Sequence, residues 1–289
     1  MIFDNVILIL LYNRSPSESR TLISLLNCDF YLKNTKVILW NNGPSSISSA
    51  SISKELTQRG YFFEYIETLN NESLSYIYNK VLNNNSAGRY ILLDHDSVLN
   101  DSYLKDVSAL SFNCVGMPLI YVNGVVVNPC INNRIMVQDD NICDLSENDI
   151  ITTIGSGIVI GSDVVSQVRE KFGCVFDERF YLYGVDTTFC FRIHNLISAD
   201  RIKIIYGIEH SLSRLESESS NIKKFRRKER SFDLALQLRF YSSKKTLFFK
   251  LPFLIASVIK KKILRKESNI EIYYFVLALV KGRHYKVKN

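Results

Sequence analysis

No run in this sequence is long and apolar enough to span a membrane as a helix. The longest uncharged apolar stretches, residues 251–259 and 272–280, fall far short of the roughly 20 residues a span requires. Cysteine is sparse: Cys28, Cys114, Cys130, Cys143, Cys174 and Cys190 form no C-x-x-C pair, which argues against a zinc site or a disulfide framework and suits free thiols in a reducing compartment. No basic stretch precedes the apolar run in residues 1–11, so that segment is expected to be a first strand and not a signal peptide. Nor does a glycine-rich, basic phosphate loop follow it, since Tyr12-Asn13-Arg14-Ser15-Pro16 stands in that place. No recognisable nucleic-acid module appears, and Asp and Glu dominate most of the chain, so nucleic acid is not expected as a partner.

What is present divides the chain in two. At 289 residues, with 46% hydrophobic and 22% charged, it accommodates one large domain and an appendage. The net charge of +7 hides an asymmetry, because residues 1–220 carry 17 Lys+Arg against 25 Asp+Glu while residues 221–289 carry 19 against 4. A domain over 1–220 and a basic helical region over 221–289, with different partners, are therefore expected.

Val6-Ile7-Leu8-Ile9-Leu10-Leu11 is a continuous apolar run, as in a parallel strand covered on both faces. Ser15-Pro16-Ser17-Glu18 has the form of a capping box and predicts a helix over 16–27. A second strand over 36–40 ends at the turn Asn41-Asn42-Gly43-Pro44, and a helix over 47–59, a strand over 61–67 and a helix over 73–84 follow. Tyr90-Ile91-Leu92-Leu93 is the fourth strand. This alternation predicts an α/β, Rossmann-like fold, with a mainly parallel sheet flanked by helices and its ligand at the carboxyl ends of the strands. The rhythm then breaks. An Asn123-Gly124 turn in residues 119–127 marks a hairpin that adds antiparallel strands, so the sheet is mixed. Residues 132–149 are polar and acidic and are expected to be a loop, Gly155-Ser156-Gly157 leads into the apolar run Ile158-Val159-Ile160, and helices are expected over 162–172 and from Asp186 onward.

The fourth strand runs directly into Asp94-His95-Asp96-Ser97. Carboxylates at the end of an apolar strand must be solvated, paired or bound to a cation, and two of them converging there suit Mg2+ or Mn2+ shared with a diphosphate. An Asp-rich turn with Ser97 or Asp101 capping the next helix is the other reading of the same residues. Alternation of side chains turns His95 away from the two Asp. Asp186 likewise reads either as a helix N-cap or as a functional carboxylate.

Taken together, the motifs from Leu8 to about Ser213 resemble those of a family 2 glycosyltransferase of the GT-A fold, in the rhamnosyltransferase-like branch of bacterial surface polysaccharide biosynthesis. Leu11-Tyr12-Asn13 resembles the opening strand-to-loop motif and Trp40-Asn41-Asn42-Gly43-Pro44 the family's Val-Asp-Asn-Gly-Ser. Residues 71–83 are similar to its next helix, Asp94-His95-Asp96 to its Asp-x-Asp motif, Gly155-Ser156-Gly157 to a Ser-Gly turn, and Tyr183-Gly184-Val185-Asp186-Thr187 to its acceptor-side acidic motif. The resemblance implies an inverting hexosyltransferase. Leu11, Tyr12, Asn13, Asn41, Asn42, Gly43, Asp94, His95 and Asp96 would bind a UDP- or dTDP-linked sugar, and Asp94, Asp96 and His210 would hold Mn2+ or Mg2+. Asp186 would be the base, and Gly155, Ser156, Gly157 and Arg192 would line the acceptor or diphosphate side. His210 as a structural residue, and Arg192 in a surface ion pair, remain open on the residues alone. Asn41 departs from the family's Asp; its oxygen can still accept a hydrogen bond from a pyrimidine N–H, without the charge. The acceptor implied is a lipid-linked oligosaccharide of O-antigen or capsule. Beyond residue 220, basic clusters such as Lys223-Lys224-Phe225-Arg226-Arg227-Lys228 and Lys260-Lys261-Lys262 alternate with short apolar helices, a composition that fits an anionic membrane surface. A peripheral location on the inner face of the cell membrane follows. A sugar-nucleotide nucleotidyltransferase and a non-catalytic membrane-docked glycan-binding protein are the alternatives.

Overall fold

The computed structural model describes residues 2–136, 145–211, 220–264 and 268–287. The centre of the expected 132–149 loop and the basic pair Arg265-Lys266 lie outside the described residues.

Strand β1 (Ile2–Leu11) is followed by a single 3-10 turn at Pro16–Glu18 and by α1 (Arg20–Asn27), then β2 (Thr35–Asn41), α2 (Ala50–Gln58), β3 (Phe62–Glu67), α3 (Leu74–Asn84) and β4 (Ser86–Asp94). The capping box at Ser15 forms, with Glu18 accepting the Ser15 N–H at 2.8 Å, yet the helix expected over 16–27 is broken at Ser19. Tertiary bonds explain the break. Ser19 Oγ donates to the His95 carbonyl at 3.2 Å and Thr21 Oγ1 to the carbonyls of Asp94 and Ser97, so the chain is pulled onto the loop after β4 and a new helix starts there.

Next come β5 (Ser97–Val98), α4 (Asp101–Ala109), the hairpin β6 (Val115–Val122) and β7 (Val125–Asn128), and the short strands β8 (Cys130–Ile131), β9 (Arg134–Ile135) and β10 (Ile151–Thr152). Asn123 and Gly124 both have positive φ, as a tight Asn-Gly hairpin turn requires. Residues expected to be a plain loop thus contribute β9, which with β8 and β10 forms a three-stranded sheet. The chain continues through β11 (Val159–Gly161), α5 (Ser162–Phe172), α6 (Val185–His194), β12 (Ile202–His210), α7 (Ser220–Tyr241), α8 (Lys244–Ile263) and α9 (Ile272–Lys281).

The main sheet has the order β3-β2-β1-β4-β11-β6-β12-β5, with β7 added to β6. Strands β1 to β4 are mutually parallel, and β11 is inserted antiparallel between β4 and β6. Alternation along β1 sends Val6, Leu8 and Leu10 to one face, where α3, α5, α6, α7 and α9 pack, and Ile7, Ile9 and Leu11 to the other, under α1, α2 and α4. A mixed, mainly parallel sheet flanked by helices is therefore observed.

The C-terminal helices are built into this body. Phe232, Ala235 and Leu236 of α7 and Phe275 and Ala278 of α9 belong to the same continuous core as β1 and α6. Glu229 of α7 and His284, each 2% exposed, approach within 3.0 Å, and the His284 ring stacks on Tyr181 of the main body. Replacing His284 by Ala leaves the Glu229 carboxylate buried without its partner, at a cost of about 3 kcal/mol. Chemical denaturation should register that loss, and the double variant Glu229→Gln, His284→Ala should recover part of it; an unchanged midpoint in the single variant would show that the pair does not anchor α7.

Candidate active site

The motifs expected to bind a donor meet at the carboxyl edge of β1 and β2. Asn42 donates its N–H to the Leu11 carbonyl at 2.8 Å and Asn13 donates to the Gly43 carbonyl at 2.7 Å. Gly43 sits at a positive φ, and a side chain there would strike the Leu69 carbonyl. Leu11 is fully buried, so it reaches this edge only through its backbone, whereas Tyr12 is 46% exposed.

Asn41 does not present its amide as expected. It is buried, its Oδ1 accepts from the Gly43 N–H, and its Nδ2 donates to the Ser45 carbonyl and to Glu67 Oε2 at 2.9 Å. Asn42 is spent in the same way on Thr68, Asn71 and Glu72. The charge missing at position 41 stands one strand away, on Glu67, which pairs with Asn41 in the β2–β3 register. Hydrogen bonds from Tyr65 and Asn41 hold the Glu67 carboxyl below its ordinary range. Sequence reasoning passed over Glu67, although an acidic residue at the carboxyl end of β3 was its signal.

The Asp-x-Asp stretch leaves the end of β4 and meets the end of β12. Asp94, Asp96 and His210 each turn one donor atom inward, all within 4.8 Å of one another, the only such group of three among the described residues. An octahedral ion with bonds of about 2.1 Å needs its donors about 3 to 4.3 Å apart, so two carboxylates and an imidazole within 4.8 Å of one another need to close only slightly to hold Mn2+ or Mg2+. Burial holds His210 below its ordinary range and hence neutral, as a ligand must be. Its Nδ1 lies 2.9 Å from Ser97 Oγ and 3.4 Å from Asp96 Oδ1; the tautomer protonated at Nε2 leaves Nδ1 a lone pair on the side of Asp96. Ser211 donates to Asp96 Oδ2 at 2.8 Å. His95 is not part of this group, in keeping with side-chain alternation.

Gly155-Ser156-Gly157 joins the Asp-x-Asp loop to α6. Ser156 Oγ accepts the Asp94 N–H at 3.0 Å and lies 2.8 Å from Ser97 Oγ, while Gly157 donates to the Leu92 carbonyl at 2.7 Å. The Gly155 N–H reaches across to Asp186 Oδ2 at 3.0 Å, and Asp186 Oδ1 accepts from Thr187 N at 2.8 Å. The N-cap of α6 is Gly184 and not Asp186, which occupies the first turn with its carboxylate directed to Gly155. Gly155 has Tyr78 on its other side, 3.3 Å from where a Cβ would stand.

Asp94, His210 and Asp186 all line one cleft of about 700 Å³, together with Tyr78, Gly155 and Tyr183. The two groups that sequence distance separates are thus joined by a cavity. Burial, reinforced by Asp96 and Asp186, pushes Asp94 up to about 7. The opposite wall was not foreseen: Ile222, Phe225, Arg226, Arg230 and Asp233 of α7 complete it. Arg192 is absent from the cleft. It is buried behind α6, 3.3 Å from Asp177, donating to Tyr241 and to the carbonyls of Cys174 and Val175, so it is neither a surface ion pair nor a group facing the cavity.

No protein-family model matches this sequence. No curated protein matches it either. Solved structures do. S. aureus TarS superposes with a TM-score of 0.55 at 16% identity, covering 82% of this chain and 40% of that one. TarS residues 1–349 in complex with UDP-GlcNAc gives 0.52 at 15% identity, over 82% and 67%. GalNAc-T7 with UDP, GalNAc and Mn2+ gives 0.52 at 10% identity, over 91% and 58%. This is the GT-A fold. The chain spans less than half of the longer TarS chain, and the GT-A likeness concerns the fold alone.

An Asp94 carboxyl raised from 3.8 to about 7 disfavours the charged fold: without a cation, this group's contribution to stability is lost as pH rises toward and through 7. A bound divalent ion takes the ionised carboxylate. The rise in Tm produced by Mn2+ should therefore be larger near pH 8 than near pH 5.5, and Asp94→Asn should abolish it. A Mn2+ response independent of pH, or one that survives in the variant, would contradict the metal assignment.

Proposed function

We propose that the protein is an inverting, metal-dependent glycosyltransferase resembling the rhamnosyltransferase-like branch of family 2. It moves a hexose or deoxyhexose from a UDP- or dTDP-linked donor to a lipid-linked saccharide of bacterial O-antigen or capsule, at the inner face of the cell membrane. The observation that carries this reading is the single cleft in which Asp94 and His210 share walls with Asp186 on a GT-A sheet. The UDP-GlcNAc bound to TarS and the UDP and Mn2+ bound to GalNAc-T7 support the donor and cation classes.

Asp94, Asp96 and His210 would hold a divalent ion, which would supply the positive charge that a departing nucleoside diphosphate requires. On the other side of the sugar, Asp186 takes the proton of the acceptor hydroxyl as that oxygen attacks the anomeric carbon. The bond from this carbon to the phosphate oxygen breaks, its electron pair leaves with the nucleoside diphosphate, and one displacement inverts the configuration. The N–H groups of Gly155 and Thr187 hold the carboxylate in place. At the nucleoside end, the exposed Tyr12 ring offers a stacking face and Glu67 the charge that Asn41 lacks. Asp186→Asn should lower kcat by at least about a thousandfold while leaving UDP affinity in Mn2+ unchanged. Retained turnover would remove Asp186 as the base.

The membrane contact is carried by α8. Phe248, Phe249 and Phe253 are 74%, 74% and 80% exposed, and Lys244, Lys245, Lys250 and Lys260 stand exposed on the same helix. No helix of the described residues is long and apolar enough to cross a membrane. Rings worth about 1.5 kcal/mol or more each on burial, beside lysines worth about 1 kcal/mol each near anionic lipid, suit a helix lying in the interface. Replacing the three Phe by Ser should cut cosedimentation with phosphatidylserine vesicles severalfold at unchanged Tm. Equal sedimentation of variant and wild type would count against α8 as the contact.

A further inference from the structure

The wall that α7 contributes bears a charge pattern that neither the cation nor the base accounts for. Ile222, Arg226, Arg230 and Asp233 follow one another at four, four and three residues and so share a stripe of the helix, which faces the cleft. Glu229, Phe232 and Leu236 occupy the neighbouring stripe and are buried against the body, which holds the helix in register. Asp233 locates the stripe: a Cβ on Gly184 would stand 2.1 Å from Asp233 Oδ1, so the helix passes over the first residues of α6, directly beside Asp186. Only glycine at 184 allows this approach.

Arg230 is one turn from Asp233 along α7, about 4.5 Å on the helix axis, and Arg226 about 10 Å. Both therefore flank the side of the cleft where the base stands. The remaining walls carry Asp94 and Asp186, α7 itself adds Asp233, and among the described residues Arg230 makes no ion pair. An arginine offered to a cavity lined by carboxylates, without being paired to one, is suited to a ligand's own anion, and its planar fork matches a phosphate.

We propose that α7 forms an acceptor subsite in which Arg230, with Arg226 beside it, binds a phosphate group of the acceptor about one sugar unit from the hydroxyl that Asp186 deprotonates. This rests on the transferase reading and adds to it the acceptor's class: a phosphorylated saccharide rather than a neutral one. The donor's diphosphate is the competing source of the same chemistry, and the experiment separates the two. With the full chain held at saturating UDP and Mn2+, so that the donor diphosphate site is filled, glucose 1-phosphate and methyl glucoside are titrated by calorimetry. Wild type should bind glucose 1-phosphate at least about tenfold more tightly than methyl glucoside, and Arg230→Ala should remove that preference with UDP affinity and Tm unchanged; Arg230→Lys should keep part of it. Equal affinity for the two sugars, or a preference that survives in Arg230→Ala, would overturn the subsite while leaving the transferase reading intact. A tenfold loss of UDP affinity in Arg230→Ala would assign the arginine to the donor instead. Failure of both UDP and dTDP to bind in Mn2+ would overturn the nucleotide-sugar reading and the subsite with it.

Discussion

Gly155, Ser156 and Gly157 tie the end of β4 to the start of α6, and the geometry of the cleft depends on those bonds. The Asp94 N–H rests on Ser156, the Gly157 N–H on the Leu92 carbonyl, and the Gly155 N–H on Asp186. The antiparallel direction of β11 makes this possible. A strand parallel to β4 would enter the sheet at the far edge; one that runs against it enters at the carboxyl edge, so the residues preceding β11 lie where the carboxylates converge. Their backbone N–H groups, otherwise unpaired at a strand entrance, are spent on positioning both halves of the site.

Electrostatics then sets what the cleft can accept. Asp94 is raised by burial and by its neighbours Asp96 and Asp186, and Asp233 is raised to about 7 chiefly by burial, with Asp186 adding to it. Carboxylates this close do not ionise together without a counter-charge. A cation held by Asp94, Asp96 and His210 would supply it on one side, and Arg226 and Arg230 of α7 line the other. The basic C-terminal region therefore has two parts with different physics. Helices α7 and α9 pack into the core and α7 closes the cleft, whereas α8 keeps its aromatic and lysine side chains in the open.

Much of this was visible in the residue order. The apolar run of β1, the Asn-Gly hairpin and helices α3 and α5 follow from local pattern, because period and turn chemistry act over a few residues. Asp94, Asp96, His210 and Asp186 were nameable from motif likeness; Asp94, His210 and Asp186 line one cavity, and Asp96 stands beside the first two. The failures share a cause. The helix expected over 16–27 obeyed its capping signal and was then interrupted at Ser19 by bonds to residues 94–97. The surroundings of Asn41 and Arg192 were equally illegible, because Glu67, which accepts from the Asn41 amide, and Asp177, which pairs with Arg192, are distant in sequence.

What the sequence determined by itself is the alternating sheet and the set of acidic groups at its carboxyl edge, since both are written in short-range pattern. Which of those groups share a cavity, that Glu67 stands beside Asn41, and that a helix more than 220 residues into the chain forms the cleft's last wall were decided by tertiary structure alone. Neither strand order nor the packing of α7 over Gly184 leaves a local signature: both depend on which buried surfaces meet, and that is settled only when the whole core assembles.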